Sequence, residues 1–179
     1  MVINDDVYTG TSGCAGETQI AYNGLQTDEK SYVKELTYLR PWGVDLGVVH
    51  EAKKAVEKGT GAGILDLAKG NANNITKEIV INAAKNGDKL ALELLENAGK
   101  SLGVRIAYLI DLLNPSLVII GGGMEIAGDL IFEPIKNTVK KFAFEEPASI
   151  VKIVPTFLGE DAIVLGAAAL AAREIFIQA

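Results

Sequence analysis

The sequence predicts an α/β domain in which a mostly parallel sheet is covered by helices. Two observations carry this. The last third alternates in type, with an apolar strand over 117–120, a helix over 129–142, a strand over 150–156 and a helix over 161–177. Its strands are continuous apolar runs rather than half-polar ones, the pattern of parallel strands buried on both faces and joined through helices. With 179 residues, 49% of them hydrophobic, the chain is long enough to bury a real core, and it reads as a single domain over 1–179.

The chain starts with two short β-branched or aromatic runs, Val2-Ile3 and Val7-Tyr8, around the polar Asn4-Asp5-Asp6, which is a hairpin signal. A domain rarely opens with a strand on its second residue. The chain is therefore expected to be a fragment or sub-domain of a longer protein, with Met1 a start artefact. Next comes GTSGCAGETQI, residues 10–20, too irregular for helix or strand. Its glycines permit positive φ and close backbone approach, and Glu17 offers two acceptor oxygens at the end of the arc.

Residues 22–70 read as a variable helical insertion, broken by Arg40-Pro41-Trp42-Gly43 before a helix over 44–57. Gly59-Thr60-Gly61-Ala62-Gly63 lacks the lysine and hydroxyl residue of a phosphate loop and reads as a turn between helices. Thr76 starts a helix through Ala84, closed by Asn86-Gly87, and Asp88 opens a long helix to Leu113, ended by Asn114-Pro115. Along that helix Gly99, Gly103 and Ala107 form a small-residue stripe four apart, so it is expected to lie flat against a close neighbour. The same stripe could instead serve association between chains. Lys100, Arg105 and Asp111 mark it as a helix of a soluble protein. The strand over 117–120 empties into Gly121-Gly122-Gly123, where α/β sheets place ligands, although a strand-to-helix turn needs glycine for geometry alone. Glu160 and Asp161 stand at the front of the last helix, where carboxylates complement its dipole.

Composition excludes several functions. A net charge of -6 without any basic run longer than a pair argues against a nucleic-acid surface on this chain. No apolar stretch approaches the roughly 20 residues of a membrane span, and the start does not resemble a secretion signal, so a cytoplasmic location is expected. The lone Cys14 fits a reducing compartment, and Cys14 with the single His50 cannot build a four-ligand zinc site. Cys14 reads as a small packed side chain rather than a nucleophile, because His50 falls in a helix well away in sequence.

Four motifs in order carry a resemblance: Val7-Tyr8-Thr9-Gly10 running into Gly13-Cys14-Ala15-Gly16-Glu17; Asn114-Pro115-Ser116 running through the strand into Gly121-Gly122-Gly123; Gly128-Asp129-Leu130 with Glu133-Pro134-Ile135; and Leu158-Gly159-Glu160-Asp161-Ala162 with Gly166-Ala167-Ala168-Ala169-Leu170. Together they resemble the carboxyl-terminal part of the ROK family, named for repressors, open reading frames and kinases. The resemblance implies the second lobe of an actin-like, ribonuclease-H-like ATPase fold. It assigns sugar contact to Gly13, Gly16 and Glu17, whose carboxylate would accept from two adjacent hydroxyls, and it places Gly121, Gly122 and Gly123 near a nucleotide if one binds.

Three departures shape the functional expectation. The family follows its glutamate with isoleucine-glycine-histidine, whereas Thr18-Gln19-Ile20 stand here, and the cysteine-rich zinc segment is missing; no zinc is expected. The family's phosphate loop and catalytic aspartate belong to its first lobe and find no match, so this chain alone is not expected to transfer phosphate, and ATP enters only through a full-length kinase parent. Three functions stay open: the sugar-binding and oligomerisation lobe of a sugar-responsive transcriptional regulator, binding a carbohydrate effector or its phosphate; the corresponding half of a sugar kinase; or a non-catalytic packing module. A homo-oligomer is expected.

Overall fold

The computed structural model describes residues 1–16 and 46–177. The chain divides into two compact units, Met1–Pro41 and Trp42–Ala179. In the first, β1 (Val2–Ile3) and β2 (Asp6–Val7) pair antiparallel, with Val2 opposite Val7 and Ile3 opposite Asp6. Asn4 (φ 52°) and Asp5 (φ 61°) form the two-residue loop, both in the left-handed conformation that matches the twist of a tight hairpin.

The second unit is built on α4 (Lys89–Leu113), preceded by α1 (Val48–Glu57), α2 (Ala62–Leu67) and α3 (Lys77–Lys85). The helix expected from 44 begins at Val48, because Leu46 (φ 54°) and Gly47 (φ 78°) are left-handed and cannot belong to it. Gly59–Gly63 spans the turn from α1 into α2. Local capping sets the next boundaries: the Thr76 hydroxyl accepts from the Ile79 N–H (3.4 Å), and Asp88 Oδ1 accepts from the Ala91 N–H (2.9 Å). Asn114 (φ 43°) ends α4 in the left-handed region, its N–H donating to the Ile110 carbonyl at 2.8 Å.

Strand β3 (Leu117–Ile120) runs parallel to β4 (Lys152–Pro155), with Leu117 opposite Lys152 and Ile120 opposite Pro155. Between them lie α5 (Asp129–Phe142) and α6 (Glu145–Ile150). Helix α6 takes Ile150 from the strand expected over 150–156; Asp111 Oδ1 on α4 accepts from the Phe144 N–H at its start (2.9 Å), and Glu145 and Glu146 occupy its first turn. The core runs along the α4–α5 seam and out to α3, through Val80, Leu95, Ile110, Ile131, Ile135 and Val139. The stripe on α4 faces this seam: a Cβ at Gly99 would lie 2.8 Å from Pro134 Cβ, and one at Gly103 would lie 2.6 Å from Thr138 Cβ. Its close neighbour is α5, so the stripe is not a free surface for association.

Val118 and Ile120 turn toward the core, while Leu117 and Ile119 on the other face of β3 are exposed. The final helix, α7 (Ala162–Ile177), is apolar almost throughout and exposes Ile163, Val164, Ile175 and Phe176. None of the described helices is long and apolar enough to cross a membrane.

Candidate ligand-binding site

Two groups of expected site residues fall in separate units. In the first, Gly10 (φ 69°), Gly13 (φ 79°) and Gly16 (φ 89°) all adopt the left-handed backbone that L side chains avoid. The Ala15 N–H donates to the Thr9 carbonyl (3.0 Å), closing the loop, and a Cβ at Gly10 would press on Ala15 Cβ at 3.1 Å. Among the described residues nothing lies within 4 Å of a Cβ added at Gly13 or Gly16. Cys14 is exposed, its thiol 3.7 Å from the Ser12 carbonyl, so it is not the packed side chain expected. A shallow hollow beside the loop is lined by Tyr8, Thr9, Gly10 and Thr11 rather than by Gly13 or Gly16. Glu17, with the rest of 17–45, lies outside the described residues.

In the second unit the glycine triplet leaves the carboxyl end of β3 as a turn, with Gly122 at φ 96° and Gly123 at φ 94°. Glu125 folds back so that its Oε2 accepts from the Gly123 N–H (2.6 Å), and the buried Met124 and Ala127 anchor the following helical turn in the core. Helix α3 lies against this turn at both of its ends. Lys85 Nζ donates to the Ile126 carbonyl (3.2 Å), and the Lys77 side chain lies over Gly123, where an added Cβ would collide with Nζ and approach Cε to 3.1 Å. Lys77 is 26% exposed, and its described ion-pair partner is Glu78, 3.8 Å away. The Glu78 carboxyl is held below its ordinary value, first by a hydrogen bond from the Thr76 side chain, then by its own backbone and by Lys77. Sequence reasoning missed Lys77 and Glu125: Glu125 two residues past a glycine triplet is a local signal, whereas nothing in the sequence joins Lys77 to a turn 46 residues away.

Among the described residues no group of three or more His, Cys, Asp or Glu side chains is gathered as a metal site. His50 is highly exposed on α1 beside Glu51.

The parallel β3–β4 pair flanked by helices, with a glycine turn at the strand end, has the actin-like ATPase fold of the ROK structures that this chain resembles. The ROK family model matches residues 55–174, and the chain belongs to the ROK family. A xylose repressor from Caldicellulosiruptor bescii is 25% identical over 170 residues, which cover 95% of this chain and 42% of the repressor. A glucokinase from Thermotoga maritima is 33% identical over 96 residues, 54% of this chain and 30% of the enzyme. The crystal structure of a ROK family glucokinase from Streptomyces griseus in complex with glucose and AMPPNP superposes with a TM-score of 0.65 at 26% identity, over 74% of this chain and 43% of that one. The chain thus spans less than half the length of these relatives.

Proposed function

We propose that the chain is the sugar-binding and oligomerisation lobe of a sugar-responsive ROK transcriptional regulator. The observation that carries this is the extent of similarity: the xylose repressor aligns along nearly the whole chain, whereas the glucokinase aligns over about half. The loss of the family's histidine after Glu17 agrees with it, because sensing a sugar tolerates a looser loop than holding one hydroxyl in line with a phosphate. In this reading Gly13 and Gly16 shape the loop and Glu17 accepts from sugar hydroxyls. The test is calorimetry of the chain and of Glu17→Ala with D-xylose, D-glucose and other aldoses, beside a thermal melt. A charge-assisted hydrogen bond contributes about 1.5–3 kcal/mol, so the variant should lose at least about tenfold in affinity with its melting unchanged. A chain that binds no aldose, or a variant with unchanged affinity, refutes the sugar loop. The exposed apolar residues of α7 and β3 support self-association, and a monomer by sedimentation at high micromolar concentration would contradict it.

A second reading, the corresponding half of a sugar kinase, draws on the higher identity to the glucokinase over its shorter match. There the Gly121–Gly123 turn would contact the nucleotide. Sugar-dependent ADP release by the protein would favour it over the regulator.

A further inference from the structure

We propose that the hollow beside the glycine loop is a subsite for a second, uncharged sugar ring, so that the ligand is a neutral disaccharide rather than a single sugar; this rests on the sugar-loop reading above. The hollow measures about 490 Å³, within the range of small-molecule sites. Its position makes it an extension of the loop and not the same site. Neither Gly13 nor Gly16 lines it, yet Gly10 belongs both to its wall and to the loop, and the Thr9 carbonyl accepts the Ala15 N–H that closes the loop (3.0 Å).

The lining matches the two kinds of surface that a sugar presents. A pyranose carries hydroxyls round its rim and C–H groups on its faces, so it needs polar partners at the edge and an apolar plane against a face. Ile3 and Val7 supply apolar wall, and the Tyr8 ring, 51% exposed, is a plane with a polar tip. The Tyr8, Thr9 and Thr11 hydroxyls enter no hydrogen bond among the described residues, so each can donate to and accept from a ring hydroxyl. Asp6 adds a carboxylate, and among the described residues no lysine or arginine lines the hollow. The wall therefore repels an anion, which selects a neutral sugar over its phosphate. A hollow this shallow holds little by itself. Linked to a ring already held by the loop, a second ring meets it at high effective concentration, and modest contacts then raise the affinity.

The test is calorimetry of the protein, Tyr8→Ala and Tyr8→Phe with xylobiose against D-xylose, and with cellobiose and maltose against D-glucose. At least one disaccharide should bind about tenfold or more tighter than its monosaccharide, the gain of a modest tethered contact. Tyr8→Ala should remove most of that advantage, and Tyr8→Phe, which keeps the ring, should retain most of it. Both variants keep the Tyr8 backbone N–H, which donates to the Met1 carbonyl (2.9 Å), and a thermal melt checks that each is folded. Saturation-transfer NMR on the unmodified protein needs no variant: both rings of the bound disaccharide should receive saturation. The glucose disaccharides are also tested as their 6′-phosphates, which should bind more weakly than the neutral forms. No disaccharide tighter than its monosaccharide, an advantage that survives Tyr8→Ala, or saturation confined to one ring overturns the subsite, and a 6′-phosphate that binds tighter overturns the selection of an uncharged ring. The sugar loop fails separately, by loss of monosaccharide binding or by its insensitivity to Glu17→Ala, and failure of the subsite leaves both of those results standing.

Discussion

Replacing Gly103 by alanine tests the α4–α5 seam. A methyl built there would lie 2.6 Å from Thr138 Cβ, 3.0 Å from Thr138 Cγ2 and 2.9 Å from the Ile135 carbonyl oxygen. Ordinary contact for such a carbon starts near 3.4 Å. The carbonyl belongs to the backbone of α5 and cannot rotate aside, so α4 and α5 must separate by several tenths of an ångström. That movement would loosen the packing of Ile106, Ile110, Ile131 and Ile135, all buried. Alanine gains up to about 1 kcal/mol in helix propensity over glycine. Overpacking a close-packed core costs about 1–3 kcal/mol, and here two rigid neighbours are struck at once. With the cost at the upper end of that range, about 3 kcal/mol, the clash wins and leaves a net loss of about 2 kcal/mol. At about 2–4 °C per kcal/mol for a chain of this size, the melting temperature should fall by about 4–8 °C in a circular-dichroism melt. Gly166→Ala in α7 is the control: among the described residues nothing lies within 4 Å of its added carbon, so it should be neutral or mildly stabilising. A Gly103→Ala protein at least as stable as the parent would show that the seam is looser than this geometry requires, and the reasoning would fail.

Two further outcomes are expected. Asp88→Ala removes the acceptor for the Ala91 N–H and should cost about 1 kcal/mol in urea denaturation, while Asp88→Asn, which keeps an oxygen, should cost a few tenths. NMR titration of the Glu78 carboxyl should place it below its ordinary 4.5, and Thr76→Val, which removes the largest cause, should return it upward. Because the folded value is depressed, any stability Glu78 contributes is present above its unfolded pKa and is lost as the pH falls through the folded value. The contribution should be small, because the side chain is about half exposed.

Where a boundary is written in neighbouring residues, the sequence and the structure agree. Helix α4 opens on a carboxylate that caps its own third residue and ends on a left-handed asparagine before proline, and both signals act within four residues of the boundary they set. The hairpin at Asn4-Asp5, the apolar run of β3 and the 129–142 span of α5 were legible for the same reason. The six-residue α6 was not, because it is too short for helical periodicity to register and contains Pro147, and its start is tied to Asp111, 33 residues earlier. In the candidate site, the glycines announced their own backbone, and each of Gly13, Gly16, Gly122 and Gly123 has the positive φ that glycine alone adopts cheaply.

The sequence by itself determined the order and type of the main elements, because capping, periodicity and glycine conformation are local properties of the chain. Only the tertiary structure decided what those elements meet. The stripe of Gly99 and Gly103 could equally have served a second chain, until Pro134 and Thr138 were seen pressed against it. Likewise the glycine turn acquired a charge only when α3 laid Lys77 across Gly123. Such contacts join residues tens of positions apart, and a pattern read over a window of a few turns holds no information about them.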